Sequence, residues 1–177
     1  MSITTRRAGD ADPELLHDLA ERTFGLACPP GTRQEDIDAF IATNLSVASF
    51  RGYLADPERI LLLVLRDGVP VGYSMLVGGP IKDPDVSAVI DERVSIELSK
   101  CYVAPDQHGS GAAAALMTDT LTAAGATGAA FCWLGVNQQN VRAAKFYAKN
   151  GFEIVGTKRF LVGSEWHNDH IRRRPLP

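Results

Sequence analysis

The stretch Val103-Ala104-Pro105-Asp106-Gln107-His108-Gly109-Ser110-Gly111-Ala112-Ala113 decides the architecture of this chain. The run from Val94 to Val103 reads as a strand and stops at Ala104-Pro105, where proline cannot join a central ladder. A turn of small residues follows. Then the alanine-rich segment Ala112 to Ala124 reads as a helix closed by Gly125, because alanine is the strongest helix former and glycine favours the position after a helix end. Glycines let a ligand approach the backbone. The first amides of a helix have no intrahelical acceptor and sit at the positive end of the macrodipole. A loop of this kind either cradles a phosphate or is an ordinary strand-to-helix turn. No lysine follows Gly111 as a P-loop requires, and a Rossmann fingerprint would need glycine where Ala114 stands.

Upstream, Ile3 to Arg7 reads as a short strand, and a helix starts after Asp12-Pro13 and runs to about Thr23, with proline at its first position. Pro29 and Pro30 interrupt the chain before a second helical stretch, Gln34 to about Leu54, which should contain a bend. Ile60 to Leu65 is a continuous apolar run of strand length, Asp67-Gly68 is a hairpin turn, and Val69 to Val77 is the partner strand. Downstream, Ala129 to Val136 is a strand, Gln139 to Asn150 a helix followed by Gly151, and Phe152 to Val162 with Trp166 to Arg172 a final strand pair. This order predicts a mixed α/β (α+β) fold.

With 177 residues, no internal repeat and no linker-like tract, the expectation is a single domain over 1–177. Hydrophobic residues make up 45% and charged residues 22%, which places the chain among folded globular proteins rather than disordered ones. Eighteen basic against twenty-one acidic residues give a formal charge of −3, which argues against general affinity for nucleic acid or anionic membranes. The basic run Arg172 to Arg174 reads as a solvated end. Cys28, Cys101 and Cys132 are odd in number, with no metal-ligand spacing, so they read as reduced thiols of a cytoplasmic protein without a metal. No secretory signal or membrane span is legible near the N-terminus.

The loop resembles the acetyl-CoA signature of the Gcn5-related N-acetyltransferase (GNAT) superfamily, Gln/Arg-x-x-Gly-x-Gly/Ala. His108, Gly111 and Ala113 stand in its three defining places, and His108 departs from the usual Arg or Gln. Leu134-Gly135-Val136 and Asn140-Val141-Arg142-Ala143-Ala144-Lys145-Phe146-Tyr147-Ala148-Lys149-Asn150-Gly151-Phe152 resemble the second conserved block of that superfamily. Glu21-Arg22-Thr23-Phe24, Asp36 to Phe40, Trp133 to Val136 and Phe160-x-x-Gly163 followed by Asp169 are similar to PaiA-type spermine/spermidine acetyltransferases.

The resemblance implies a GNAT fold: a mostly antiparallel central sheet with a splayed strand pair, flanked by helices. It implies acetyl-CoA as co-substrate and an amine acceptor, with a polyamine as one candidate. The pantetheine arm is expected in the gap beside Cys101, Tyr102 and Val103, pairing like an added strand. The pyrophosphate is expected on His108, Gly109, Ser110, Gly111, Ala112 and Ala113. Asn140 is expected to bind CoA, to cap its helix, or both.

Attack on a thioester needs a neutral amine. An amine of pKa about 10.4 is neutral in only about one part in 2,500 at pH 7, a penalty of about 4.6 kcal/mol. A proton acceptor is therefore the first requirement. Glu97 is the candidate base, with a solvent-facing or ion-paired carboxylate as the alternative. Tyr147 is the candidate acid that protonates the departing thiolate, with plain core packing as its alternative.

Glu35, Asp36 and Asp38 open the second helix, where acids complement the dipole; on the acceptor side they would also suit a polycation. Trp166, His167, Asp169 and His170 read as packing or pairing residues. Other acceptors stay open: an amino acid, a peptide or protein amine, a xenobiotic. A non-catalytic acetyl-CoA-binding module is the competing class, and homodimerisation through the last strands rests on family analogy alone.

Overall fold

The structure is a computed structural model that describes residues 1–177. Its frame is one seven-stranded sheet with strand order β1-β2-β3-β4-β5-β7-β6. The strands are β1 (Ile3–Arg7), β2 (Arg59–Arg66), β3 (Val69–Val77), β4 (Ser95–Val103), β5 (Phe131–Asn137), β6 (Glu153–Val162) and β7 (Glu165–Pro175). Every neighbouring pair is antiparallel except β4 and β5. The expected mostly antiparallel sheet is present, and so is the splayed pair.

The apolar run Leu61-Leu62-Leu63-Val64 is buried on both sides of the sheet. Leu61 and Leu63 pack with Leu16, Leu19, Phe24 and Phe50 from α1 (Pro13–Ala27) and α3 (Val47–Ala55). Leu62 and Val64 pack with Ala112 and Leu116 of α5 (Ala112–Ala126). Alternation along a strand sends successive side chains to opposite faces, so a strand covered by helices on both sides has no polar face. The Asp67-Gly68 turn has φ of 51° and 80°, the left-handed pair that a two-residue hairpin needs.

Several helix boundaries differ from expectation, and α1 runs on to Ala27 rather than ending near Thr23. The stretch from Gln34 is two helices, α2 (Gln34–Asn44) and α3, because Ser46 starts a new one: its hydroxyl accepts the Ser49 amide at 3.0 Å. Gly125 does not close α5. That helix runs to Ala126, where Thr127 turns back to the Ala124 carbonyl, and Gly128 takes the left-handed position with φ of 88°. A short helix α4 (Pro84–Ser87) lies between β3 and β4, and a 3₁₀ turn (Pro105–Gln107) lies in the loop read as a turn. No helix is long and apolar enough to cross a membrane.

Candidate active site

The β4–β5 ladder is short. Ser95, Ile96 and Glu97 pair with Phe131, Cys132 and Trp133, and no rung follows. From Leu98 onward the β5-facing edge of β4 has no strand partner. A cleft of about 640 Å³ opens at this parting, a volume typical of small-molecule sites. It runs from the loop before α5 to a pocket walled by α1, α2 and the β6–β7 hairpin.

A bulge shapes the wall on β4. Met75 of β3 pairs with Lys100 while Leu76 pairs with Leu98, so Ser99 is the extra residue. On a regular strand, residues three apart point to opposite faces. The bulge instead lets Leu98 stay in the α5-side core with Cys101 packed beside it, while Tyr102 joins the opposite core. Glu97, Lys100 and Tyr102 all line the cleft.

At the other end, the loop before α5 supplies unpaired amides. Gly109 and Gly111 hold φ of 73° and 87°, in the left-handed region. The Ala112 amide donates to Ser110 Oγ at 3.2 Å, and the first intrahelical bond to the loop is Ala115 to Gly111. The amides of His108, Gly109, Gly111, Ala113 and Ala114 have no backbone acceptor. His108, Gly109, Gly111 and Ala113 line the cleft, joined by Ala114; Ser110 and Ala112 do not. Ala112 is instead fully buried in the α5 core. Cys101, Tyr102 and Val103 line the cleft as expected of that half-strand.

α6 (Val141–Lys149) forms the roof on the α5 side. Asn140 caps it, its side chain accepting the Ala143 amide at 3.1 Å, and it also lines the cleft. Tyr147 likewise does two things. Its ring lies 5.6 Å from Phe146 and 5.9 Å from Phe152, edge-on in the core, and it lines the cleft. Burial raises its phenol well above the usual tyrosine value, so it keeps its proton.

Glu97 is half-buried in the cleft. Desolvation raises its carboxyl above the usual carboxylate range, an effect opposed by the charges of Lys158, Lys100 and Arg59. Lys100 is pushed down to about 8 by burial, with Glu97 acting the other way.

Sequence reasoning passed over several lining residues. Arg142, the second residue of α6, meets His108 Nδ1 across the loop; an arginine can only donate, so Nδ1 accepts. Lys158 and Asp169 are cross-strand partners on β6 and β7, 3.8 Å apart, and both face the cleft. Gly135 makes room for them: a Cβ there would lie 3.3 Å from Lys158 Cδ and 3.4 Å from Asp169 Oδ2. His167 lines the cleft as well. The acids that open α2 are engaged outside it. Arg33 pairs with Glu35 and Asp36, and Gln34 donates to Asp38.

The model of the acetyltransferase (GNAT) family matches residues 15–152. An uncharacterised N-acetyltransferase of Mycobacterium tuberculosis (strain ATCC 25618 / H37Rv) is 47% identical over 165 residues, 93% of this chain and 98% of that protein. In fold, the chain is similar to the PaiA N-acetyltransferase from Thermoplasma acidophilum in complex with coenzyme A. The TM-score is 0.77 at 21% identity, covering 99% of this chain and all of that one (100%). It is also similar to the ribosomal-protein-S18-alanine N-acetyltransferase from Escherichia coli, with a TM-score of 0.67 at 17% identity over 99% and 94% of the two chains. Both likenesses are of fold alone. The family model spans most of the sheet and its helices, and the mycobacterial relative matches nearly end to end; this chain belongs to the acetyltransferase (GNAT) family.

Proposed function

We propose that residues 1–177 form one domain that moves the acetyl group of acetyl-CoA onto the amine of a small molecule by direct attack on the thioester. The observation that carries this reading is the parting of β4 from β5 immediately after Glu97, in a cleft that also receives the unpaired amides before α5.

The residues fit such a co-substrate. The amides of His108, Gly109, Gly111, Ala113 and Ala114 suit its pyrophosphate, with Arg142 beside them to add positive charge. The free edge of β4 suits the pantetheine amides. An amide on that edge near the parting would polarise the thioester carbonyl. Glu97 takes the proton from the acceptor nitrogen, directly or through water, and its raised carboxyl brings its proton affinity nearer to that of the task. As the nitrogen–carbon bond forms and the carbon–sulfur bond breaks, Tyr147 gives its proton to the thiolate and recovers one from solvent.

The resemblance to PaiA-type enzymes makes a polyamine one candidate acceptor. The test is release of free thiol from acetyl-CoA with spermidine, spermine, amino acids, aminoglycosides and short peptides, beside calorimetric binding of acetyl-CoA. Turnover on any amine supports the reading. Tight binding of acetyl-CoA with no turnover on any of them overturns it in favour of a binding module.

A further inference from the structure

The acceptor end of the cleft carries a charge pattern that the transfer step alone does not require. Two carboxylates and two ammonium groups line it: Glu97 and Lys100 on the β4 wall, Asp169 and Lys158 on the hairpin wall. A pocket for a polycation would carry an excess of carboxylates, and here the two signs balance.

These groups are also under-satisfied. Asp169 is 6% exposed, and its Oδ1 is buried with no hydrogen-bond partner; Lys158 approaches only the other oxygen, at 3.8 Å. A buried carboxylate oxygen without a donor is costly, so a ligand donor at that point is favoured. Lys100 makes no ion pair and no hydrogen bond, and its Nζ lies 6.0 Å from the centre of the Tyr53 ring. Glu97 also lacks a side-chain hydrogen bond, and the bulge at Ser99 sets it on the same wall as Lys100. Beside them the wall is aromatic. Phe24 stacks on Phe40 at 4.5 Å, and Phe160 lies 5.7 Å from Phe40.

We infer that the acceptor is an amphoteric amine with an apolar body, of the amino-acid class: its nitrogen is received by Glu97 and Asp169, its carboxylate by Lys100, and its side chain by Phe24, Phe40 and Phe160. Glu97 and Lys100 stand three residues apart on one wall, and an α-amino acid presents its amine and carboxylate one carbon apart. A polycation would bring a second positive charge towards Lys100 and Lys158, where like charges repel. The inference rests on the acetyl-transfer reading and narrows its acceptor.

The experiment compares matched pairs that differ only by the carboxylate: phenylalanine with phenethylamine, leucine with isoamylamine, and methionine with 3-methylthiopropylamine. Spermidine is included, and thiol release from acetyl-CoA is followed with wild type, Lys100→Met and Lys100→Arg. At least one acid should exceed its decarboxylated partner in kcat/KM by about 10-fold or more, because a buried charge left unpaired discriminates strongly. Lys100→Met should bring that ratio close to one, and Lys100→Arg should keep part of it. If every decarboxylated amine, or spermidine, matches or outruns the acids, the inference fails while acetyl transfer stands. A ratio that survives Lys100→Met also overturns it. If no amine reacts although acetyl-CoA binds, the transfer reading fails and this one with it. The wild-type comparison needs no variant, so a Lys100 variant that misfolds does not shield the inference.

Discussion

Glu97 faces Trp133 across the last rung that joins β4 to β5, and one residue later the strands part. The carboxylate proposed as the base therefore stands at the apex of the gap, where backbone position is still fixed by a ladder on both sides of β4. Placement by a sheet is more exact than placement by a loop, which suits a group that must meet a nitrogen at hydrogen-bond distance.

Glu97→Gln should lower kcat/KM at pH 7 by about 10²-fold or more, with the deficit shrinking at alkaline pH where free amine is plentiful. In wild type the rate should rise as pH passes the raised carboxyl value, since the ionised form is the acceptor of the proton. A uniform loss at every pH would count against the base role. The same substitution should affect stability with the opposite sign. A carboxyl whose folded value is raised stabilises the fold below its unfolded value, and that contribution is lost as pH rises through the folded value. Thermal unfolding should therefore show Glu97→Gln gaining on wild type as pH rises from about 4 through the raised folded value.

Tyr147→Phe keeps the ring contacts with Phe146 and Phe152 and removes only the hydroxyl. Turnover should fall by about 10²-fold, the scale of a positioned acid. The dissociation constant of acetyl-CoA should stay within about twofold, because the lost proton acts only on the departing thiolate. Unchanged turnover in a well-folded variant would leave Tyr147 as a packing residue.

Gly111→Ala tests the loop. A Cβ at this position meets nothing within 4 Å, so the whole effect comes from the φ of 87°. The strain is about 1–2 kcal/mol. Tm should fall by about 2 to 8 °C in a chain of this size. If the amides around Gly111 hold phosphate, acetyl-CoA should also bind more weakly; a drop in Tm with intact binding would argue that the loop is only a turn.

Arg6 and Asp12 form a bidentate pair, both bonds at 2.8 Å, and the Gly9 amide adds a third at 2.8 Å. The Arg6 hydrogen bonds hold the Asp12 carboxyl below its usual value against the opposing effect of burial. Asp12→Asn should cost about 1–2 kcal/mol at pH 7, with Arg6 partly exposed and so partly screened. A depressed carboxyl stabilises above its unfolded value and loses that contribution as pH falls through the folded one. The deficit of the variant should therefore shrink below about pH 4. A deficit that is flat with pH would assign the effect to packing.

The elements were legible where local chemistry decides them. Asp67-Gly68 announced a hairpin, the alanine run announced α5, and the continuous apolar run of β2 announced a strand. Ser46 was missed as a helix start because its capping bond depends on the chain turning at Leu45, which no periodicity records. The loop was legible as a wall of the cleft, but Ser110 and Ala112 turn inward to each other and to the core, a matter of which side of one turn faces the cleft. The hairpin wall was illegible for a topological reason. β7 inserts between β5 and β6, so Lys158 and Asp169 reach the cleft only through a strand order that alternation cannot supply. Asp169 was read as a pairing residue. It does pair with Lys158, and its other oxygen is buried without a partner.

Towards β5, the half of β4 beyond Glu97 presents a backbone edge. A peptide edge offers the same N–H and C=O whatever residue carries it, so, Lys100 apart, identities along 98–103 are free to drift so long as packing behind them is kept. Proline is the exception, having no N–H to offer. The chain holds its proline back to Pro105, two positions past the strand end. Among distant descendants of this sequence, the edge should accordingly be visible less as a motif than as a short stretch from which one amino acid is missing.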